Sequence, residues 1–222
     1  FVVLLVLSDL ALFELLLELA HKAGGIEFLT LQQALAEGGF PPVIFFLLLL
    51  ALGSKLGLIG FHIWLAPSFV HAAVAVRPML VYYILGAGLL GWLRLLPLGE
   101  IYWPGAGSLL QWLAMTGAIY ALAVGLLQTH LRSLLAYGVM ALAALLLWVL
   151  GAVLEEPGLW SSVAADVHNM AAQAGFALAL LFLHPLHLDT TTATWLRRGG
   201  TTLNWLGVLV LASSPLGLIV AL

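Results

Sequence analysis

The feature that most constrains this chain is a succession of long apolar stretches. A transmembrane helix needs about 20 mostly apolar residues, because each residue rises about 1.5 Å and the hydrocarbon core is about 30 Å thick. About seven stretches meet this requirement: 1–21, 42–65, 72–95, 109–128, 131–150, 162–183 and 202–222. Only 8% of the residues are charged, whereas soluble domains average about 25%. We therefore predict an all-α, polytopic transmembrane helix bundle.

The connections between these stretches are short and rich in glycine and proline, as at 24–25, 38–42, 97–104, 155–158 and 197–200. None is long enough for a separate domain, so we predict a single transmembrane domain over residues 1–222. Both ends of the sequence are apolar, and we expect the chain to be the middle part of a longer subunit. We expect an integral protein of the bacterial inner (cytoplasmic) membrane. Too few Lys and Arg lie in the loops to predict its orientation.

Composition and motifs argue against several functional classes. A formal net charge of −3 with scattered basic residues does not fit a nucleic-acid partner. The absence of cysteine excludes disulfides, iron–sulfur clusters and thiolate metal sites. The sequence contains no phosphate-binding loop, no zinc-peptidase motif and no arrangement typical of a Ser or Cys nucleophile. We therefore predict no catalytic residue, no metal site and no cofactor in this chain.

Lys55 is the strongest single functional signal, because it lies deep within the second apolar stretch. A charge in the bilayer costs about 2.5–3.5 kcal/mol on insertion scales, so it marks a functional site by default. Gly53, Gly57 and Gly60 weaken the helix around Lys55, and we predict that one span is broken there. His62 follows by seven residues, on the same helix face if the helix continues. The pair predicts a proton path; the alternative is that Lys55 is a packing charge paired with an acid from another span.

Further ionisable and polar residues lie in other stretches. Asp9 and Glu14 are candidate countercharges for Lys55, and Arg132 is either a helix-end anchor or part of the path. The sixth stretch carries a polar stripe with helical spacing, which favours either a water wire or hydrogen bonds between helices: Ser162, Asp166, Asn169 and Gln173. The predicted proton path comprises Lys55, His62, Asp9, Glu14, His130, Arg132, Asp166, His168 and Gln173.

Two segments resemble a known family. Residues 53–65, Gly-Ser-Lys-Leu-Gly-Leu-Ile-Gly-Phe-His-Ile-Trp-Leu, resemble the Gly-Lys-Ser-x-x-x-Pro-x-His-x-Trp-Leu motif of the antiporter-like subunits of respiratory complex I. The Mrp cation/proton antiporters and membrane-bound hydrogenases share this motif. Residues 127–137, Leu-Gln-Thr-His-Leu-Arg-Ser-Leu-Leu-Ala-Tyr, resemble the family's Gln-x-Asp-x-Lys-Arg-x-x-Ala-Tyr-Ser segment. The resemblance implies that Lys55 and His62 lie on a proton path at mid-membrane, driven by a glutamate on an earlier helix.

The sequence also departs from the family pattern. The family has a titratable His or Lys sixteen residues beyond the tryptophan, where this chain has Leu80. In the sixth stretch the family lysine falls at Leu178. Two central relay groups are therefore missing unless His168, Gln173 and water replace them.

The resemblance and the buried charge together favour a proton-translocating, antiporter-like subunit of a larger energy-coupling complex, similar to NADH-quinone oxidoreductase. The expected partners are other membrane subunits of a hetero-oligomeric complex, the lipid bilayer and protons. One alternative is a non-conducting membrane scaffold that anchors a peripheral enzyme, such as a hydrogenase or an inorganic-carbon uptake protein. Another is a Na⁺/H⁺ antiporter subunit, with Na⁺ as a second transported ion.

Overall fold

The computed structural model describes residues 2–37, 42–73 and 76–181, and this part of the chain is helical without a strand. The predicted all-α class is confirmed there. The seventh predicted span, 202–222, and the end of the sixth lie outside the described residues. The α-helices are α1 (Val2–Ala23), α2 (Phe28–Glu37), α3 (Pro42–Leu48), α4 (Ser54–Leu56), α5 (Leu65–His71), α6 (Val76–Tyr83), α7 (Leu90–Leu95), α8 (Pro104–Leu126), α9 (Leu131–Glu155) and α10 (Trp160–Leu181).

Three helical segments are long and apolar enough to cross a membrane by length and composition: Val76–Leu95, Pro104–Leu126 and Leu131–Glu155. They coincide with three of the predicted spans. A shorter apolar helix covers Pro42–Leu56. Helices α1 and α10 each have 22 residues but carry more polar side chains. The total of about seven spans stays a prediction.

Helix α9 lies at the centre of the described bundle. Six consecutive residues, 139–144, are all buried, so this stretch of the helix is covered on all sides. Helix α8 packs antiparallel against it after a four-residue connection, 127–130. At the far end of this hairpin, a Cβ on Gly107 would lie 2.6 Å from the Gly151 oxygen. The two backbones therefore touch, as small residues allow in membrane helix pairs.

The helix that contains Lys55 is broken, as predicted. A π-helical turn, Leu49–Gly53, joins α3 to α4, and α4 ends at Gly57 with a φ of 69°. This left-handed conformation suits glycine because it has no Cβ. The chain turns and resumes as a 3₁₀ turn, His62–Trp64, followed by α5. Because the helix ends between Lys55 and His62, the shared helix face considered from their spacing does not exist.

A second π-helical turn, Ile84–Leu89, connects α6 to α7 and packs against the break. Two glycines, Gly88 in this turn and Gly91 in α7, lie at the contact. A Cβ on Gly88 would lie 2.6 Å from Leu56 Cγ, and one on Gly91 would lie 2.6 Å from Leu52 Cδ2. This close approach holds the Lys55 turn against a neighbouring helix.

Candidate functional site

Lys55 lies in the last turn before the helix break, and its side chain is buried, with 8% of the residue exposed. Its ammonium group forms an ion pair and hydrogen bond with the Asp9 carboxylate of α1. The Asp9 side chain is 64% exposed. The structure therefore joins a buried cation to an anion at the edge of the described bundle. Glu14, the other candidate countercharge, lies exposed farther along α1.

The surroundings of the ammonium are compact and partly polar. A cavity of about 10 Å³ adjoins it, which is close to the least volume that holds one water molecule, about 10–15 Å³. The cavity is lined by Leu4, Leu5, Ser8, Ser54, Lys55, Trp64 and Tyr83. The indole nitrogen of Trp64 donates a hydrogen bond to the Ser54 oxygen at 3.1 Å. This bond ties the chain beyond the break to the turn that carries Lys55.

The Ser8 hydroxyl connects α1 to the π-helical turn before Lys55. Ser8 is fully buried, and its Oγ donates a 2.6 Å hydrogen bond to the Ala51 oxygen. We expect Ser8→Ala to destabilise the protein by about 0.6 kcal/mol, the average for hydrogen bonds between membrane helices. Thermal unfolding of the purified protein in detergent measures this loss of stability. Ser161→Ala is the matched control, because Ser161 is exposed and its hydroxyl bonds to the Gly158 oxygen of its own turn; equal losses of stability for both variants would contradict the role of the Ser8 bond.

His62 lies beyond the break and borders a different space from Lys55. Its ring centroid is 4.8 Å from that of Tyr120 on α8. Its Nδ1 atom is buried and has no hydrogen-bond partner among the described residues. An open cleft of about 420 Å³ adjoins it, lined by His62, Ile63, Ala66, Pro67, Val70, His71, Tyr120, Ser133 and Tyr137.

The remaining predicted residues lie away from the Lys55–Asp9 pair. His130 is exposed in the α8–α9 connection, and Arg132 is half-buried in the first turn of α9. On α10, Asp166 is half-buried, whereas His168 and Gln173 are exposed. His168 Nδ1 is 2.7 Å from the Ala164 oxygen of its own helix. The polar stripe therefore lies on the outer surface of the described bundle.

Leu80 and Leu178 stand where the resemblance implies titratable side chains, and both pack against the apolar core. Leu178 is buried, and a Cβ on Gly138 would lie 3.6 Å from its Cδ2 atom, so it packs against α9. Leu80 is partly buried against the core. Within the described ranges, no three His, Asp or Glu side chains gather closely enough to hold a metal ion.

Comparison with known proteins decides the family. A sequence model of the family described as "NADH:quinone oxidoreductase/Mrp antiporter, TM" matches residues 1–194. The chain belongs to this family. The match includes the segment around Lys55 and the segment ending at Tyr137, so the resemblance drawn from these motifs is confirmed. Together with the apolar helices, membership establishes an integral membrane protein with an antiporter-like membrane domain.

Two relatives are similar to this member of the NADH:quinone oxidoreductase/Mrp antiporter family. It is 27% identical over 177 residues to NADH-ubiquinone oxidoreductase chain 4 of Myxine glutinosa, covering 78% of this chain and 38% of the relative. It is 31% identical over 127 residues to the protein of the same name from Lumbricus terrestris, covering 56% and 28%. The chain thus matches well under half the length of these relatives.

Several side chains at the site were not predicted from the sequence. Ser8, Tyr83 and Tyr120 lie within apolar stretches and carry no motif. Tyr137 lies in the family segment Ala-Tyr, which was the available signal. Arg77 is buried, and its Nε donates hydrogen bonds of 3.1 Å to the oxygens of Phe69 and Ala72 at the end of α5.

Proposed function

We propose that this chain forms part of a proton-translocating subunit of a larger energy-coupling complex, in which Lys55 binds and releases the transported proton. Asp9 is its countercharge, and His62 is the next proton-binding group. The observation that carries the proposal is the buried Lys55 ammonium, paired with Asp9 at the end of a broken membrane helix.

The contact between Lys55 and Asp9 offers a means of switching Lys55 between two states, paired and unpaired. A carboxylate beside an ammonium stabilises its charged form, whereas apolar surroundings favour the neutral amine. In the proposed cycle, Lys55 carries the proton while it contacts Asp9, and opening of this contact is the step in which the proton is passed on. Because Asp9 is largely exposed at the bundle edge, a neighbouring protein element can reach it and control the contact.

The partners and the membrane follow from the same proposal. The relatives are named as chain 4 of NADH-ubiquinone oxidoreductase, and we propose that this chain is likewise one membrane subunit among several. Those subunits would supply the driving energy. The expected location in a bacterial cytoplasmic membrane stays a prediction, since neither relative tests it.

The scaffold alternative also has an observation in its favour. By the resemblance, Leu178 stands at a family lysine position, and it is buried against α9, so a titratable group of the family is missing there. A non-conducting subunit that anchors a peripheral enzyme would tolerate this change. In such a scaffold Lys55 would serve only as a packing charge paired with Asp9. We favour transport because a charge in the bilayer is costly and marks a functional site by default.

An experiment on the full-length protein separates the three functions. A tagged subunit is purified with its complex, the co-purifying proteins are identified by mass spectrometry, and the complex is reconstituted in sealed vesicles. We expect other membrane subunits and proton movement that is independent of Na⁺. Proton movement only with Na⁺ would favour the antiporter, and a soluble enzyme with no proton movement would favour the scaffold.

A further inference from the structure

Helix α10 carries polar side chains on the side that faces away from the bundle. Its 22 residues span about 33 Å at about 1.5 Å per residue, which is enough to cross the hydrocarbon core. One side of the helix is buried in the bundle through Val163, Val167, Met170, Ala174 and Leu178. The opposite side is exposed and consists of Ser161, Ser162, Ala165, His168, Asn169, Ala172, Gln173 and Phe176. Because lipid chains offer no hydrogen bonds, polar side chains in the membrane face protein or water rather than lipid.

Asn169 is the polar residue closest to the middle of α10. It follows the first residue of the helix by nine positions and precedes the last by twelve. At this depth the two membrane surfaces, with their headgroups and water, are more than about 10 Å away. A carboxamide placed in an apolar environment without a hydrogen-bond partner carries a large free-energy penalty. The exposed Asn169 side chain therefore indicates that another protein element covers this side of α10.

The exposed residues have the spacing of a helix that pairs with another helix. Ser162, Ala165, Asn169, Ala172 and Phe176 recur at alternating intervals of three and four, and all five are exposed. This is the a and d spacing at which two α-helices pack side by side with a left-handed supercoil. We call these five residues the α10 seam. The seam predicts a second helix along the outer side of α10, with Asn169 at the centre of the contact.

A second copy of this chain fits the α10 seam. Two copies inserted into the membrane in the same direction pair about a twofold axis along the membrane normal, so their α10 helices run parallel and identical residues meet at the same depth. Asn169 then faces Asn169 of the second copy. A carboxamide contains both a donor and an acceptor, so two identical side chains can satisfy each other. In parallel coiled coils, a polar Asn at one a position specifies register and oligomeric state in the same way.

The residues that flank the α10 seam are also complementary in this arrangement. In a parallel pair, each flanking residue on one side of the seam meets the residue five positions farther along the other helix. His168 therefore meets Gln173 of the second copy, and Ser161 meets Asp166. His168 Nδ1 is 2.7 Å from the Ala164 oxygen of its own helix, which leaves Nε2 to accept a hydrogen bond from the Gln173 amide. Asp166, the only acid among these four flanking residues, meets a serine and not a second carboxylate.

We propose that two copies of this chain dimerise through the α10 seam, with the paired Asn169 carboxamides at the centre of the contact. The contact satisfies polar groups that lipid cannot satisfy, and this accounts for the polar side of a helix that is long enough to span the membrane. The polar stripe of α10 then serves hydrogen bonds between helices rather than a water wire. The inference rests on the membrane placement of α10 and does not depend on proton transport.

Disulfide cross-linking tests whether two seams meet. These 222 residues contain no cysteine, so Ala165→Cys and Ala172→Cys each place one thiol on the seam of a cysteine-free, full-length protein. Ile119→Cys is the control, because Ile119 is 60% exposed on α8. After mild oxidation in membranes, we expect a product of twice the subunit mass from both seam cysteines and none from the control.

Two other outcomes of the cross-linking would overturn the proposal. A product with the mass of this subunit plus a different one would assign the α10 seam to that subunit. Seam thiols that react with a lipid-soluble maleimide but form no product would show that no second copy lies against the seam.

Substitution of Asn169 tests the centre of the contact. We expect Asn169→Leu to lower the dimerisation constant in lipid on the order of tenfold, the scale of hydrogen bonds between model membrane helices. Asn169→Gln keeps a carboxamide and should retain most of the dimer. Energy transfer between labelled copies in vesicles measures both constants. Equal dimerisation of Asn169→Leu and the parent would overturn the inference.

These measurements are separate from the test of the proposed function. A dimer without proton flux would support the α10 contact while the proposed function fails. Proton flux from a protein without the dimer would leave the proposed function standing and overturn the contact.

Discussion

Lys55→Met is expected to reduce proton flux on the order of 100-fold, the scale on which a removed acid–base group acts, while the subunit still assembles. Methionine fills a similar buried volume but carries no proton. The anion left behind, Asp9, is 64% exposed, so the variant does not leave a charge buried without a partner. Flux in reconstituted vesicles and the yield of intact complex are measured together.

Two variants serve as controls for this result. Lys22→Met removes an exposed cation at the end of α1 and should leave flux unchanged. Asp9→Asn leaves the buried ammonium without its anion, and removing one partner of an ion pair is most destabilising when the remaining charge is buried. We therefore expect Asp9→Asn to lower stability more than Lys55→Met. If the parent complex shows no proton flux and Lys55→Met fails to assemble, the non-conducting scaffold would be supported instead.

Gly151→Ala is expected to cause the largest loss of stability, about 3 kcal/mol, at the upper end of the range for overpacking a dense core. Its new Cβ would lie 2.8 Å from the Gly107 oxygen and 2.7 Å from Gln111 Cγ. The Gly107 oxygen belongs to the backbone of α8, so the helix itself must move away. That shift weakens packing along the hairpin at the centre of the bundle. Thermal unfolding of the purified protein measures the effect.

Gly105→Ala is the matched control for this packing prediction. Gly105 lies on the same helix as Gly107, and a Cβ there would meet nothing within 4 Å. Alanine also has a higher helix propensity than glycine, so this variant should be neutral or slightly stabilising. Equal losses of stability for Gly151→Ala and Gly105→Ala would contradict the close contact of α8 and α9.

The sequence predicted the helices and the break because both depend on local physics. In a membrane, the backbone of a long apolar stretch must satisfy its own hydrogen bonds, and an α-helix does so. This explains α8 and α9. Glycines around Lys55 predicted the break, and the structure ends the helix at Gly57. The break also separates His62 from Lys55, which helical spacing alone could not show, since that spacing assumes a continuous helix.

The sequence did not show which acid pairs with Lys55, because this depends on how separate helices pack against one another. The sequence offered both Asp9 and Glu14 as countercharges, and the packing of α1, with Ser8 bonded to Ala51, brings Asp9 to the ammonium. Similarly, the helical periodicity predicted that the polar residues of α10 share one face, but it did not show whether that face points into or out of the bundle. The stripe lies on the outer surface of the described bundle.

Lys55→Arg distinguishes a side chain that exchanges a proton from one that only holds a positive charge. Arginine keeps a positive charge opposite Asp9 but is not deprotonated in proteins. We expect the variant to assemble as the parent does and its proton flux in vesicles to fall to the level of Lys55→Met. Flux at the parental rate would show that a fixed cation suffices at this position, and would contradict proton exchange at Lys55.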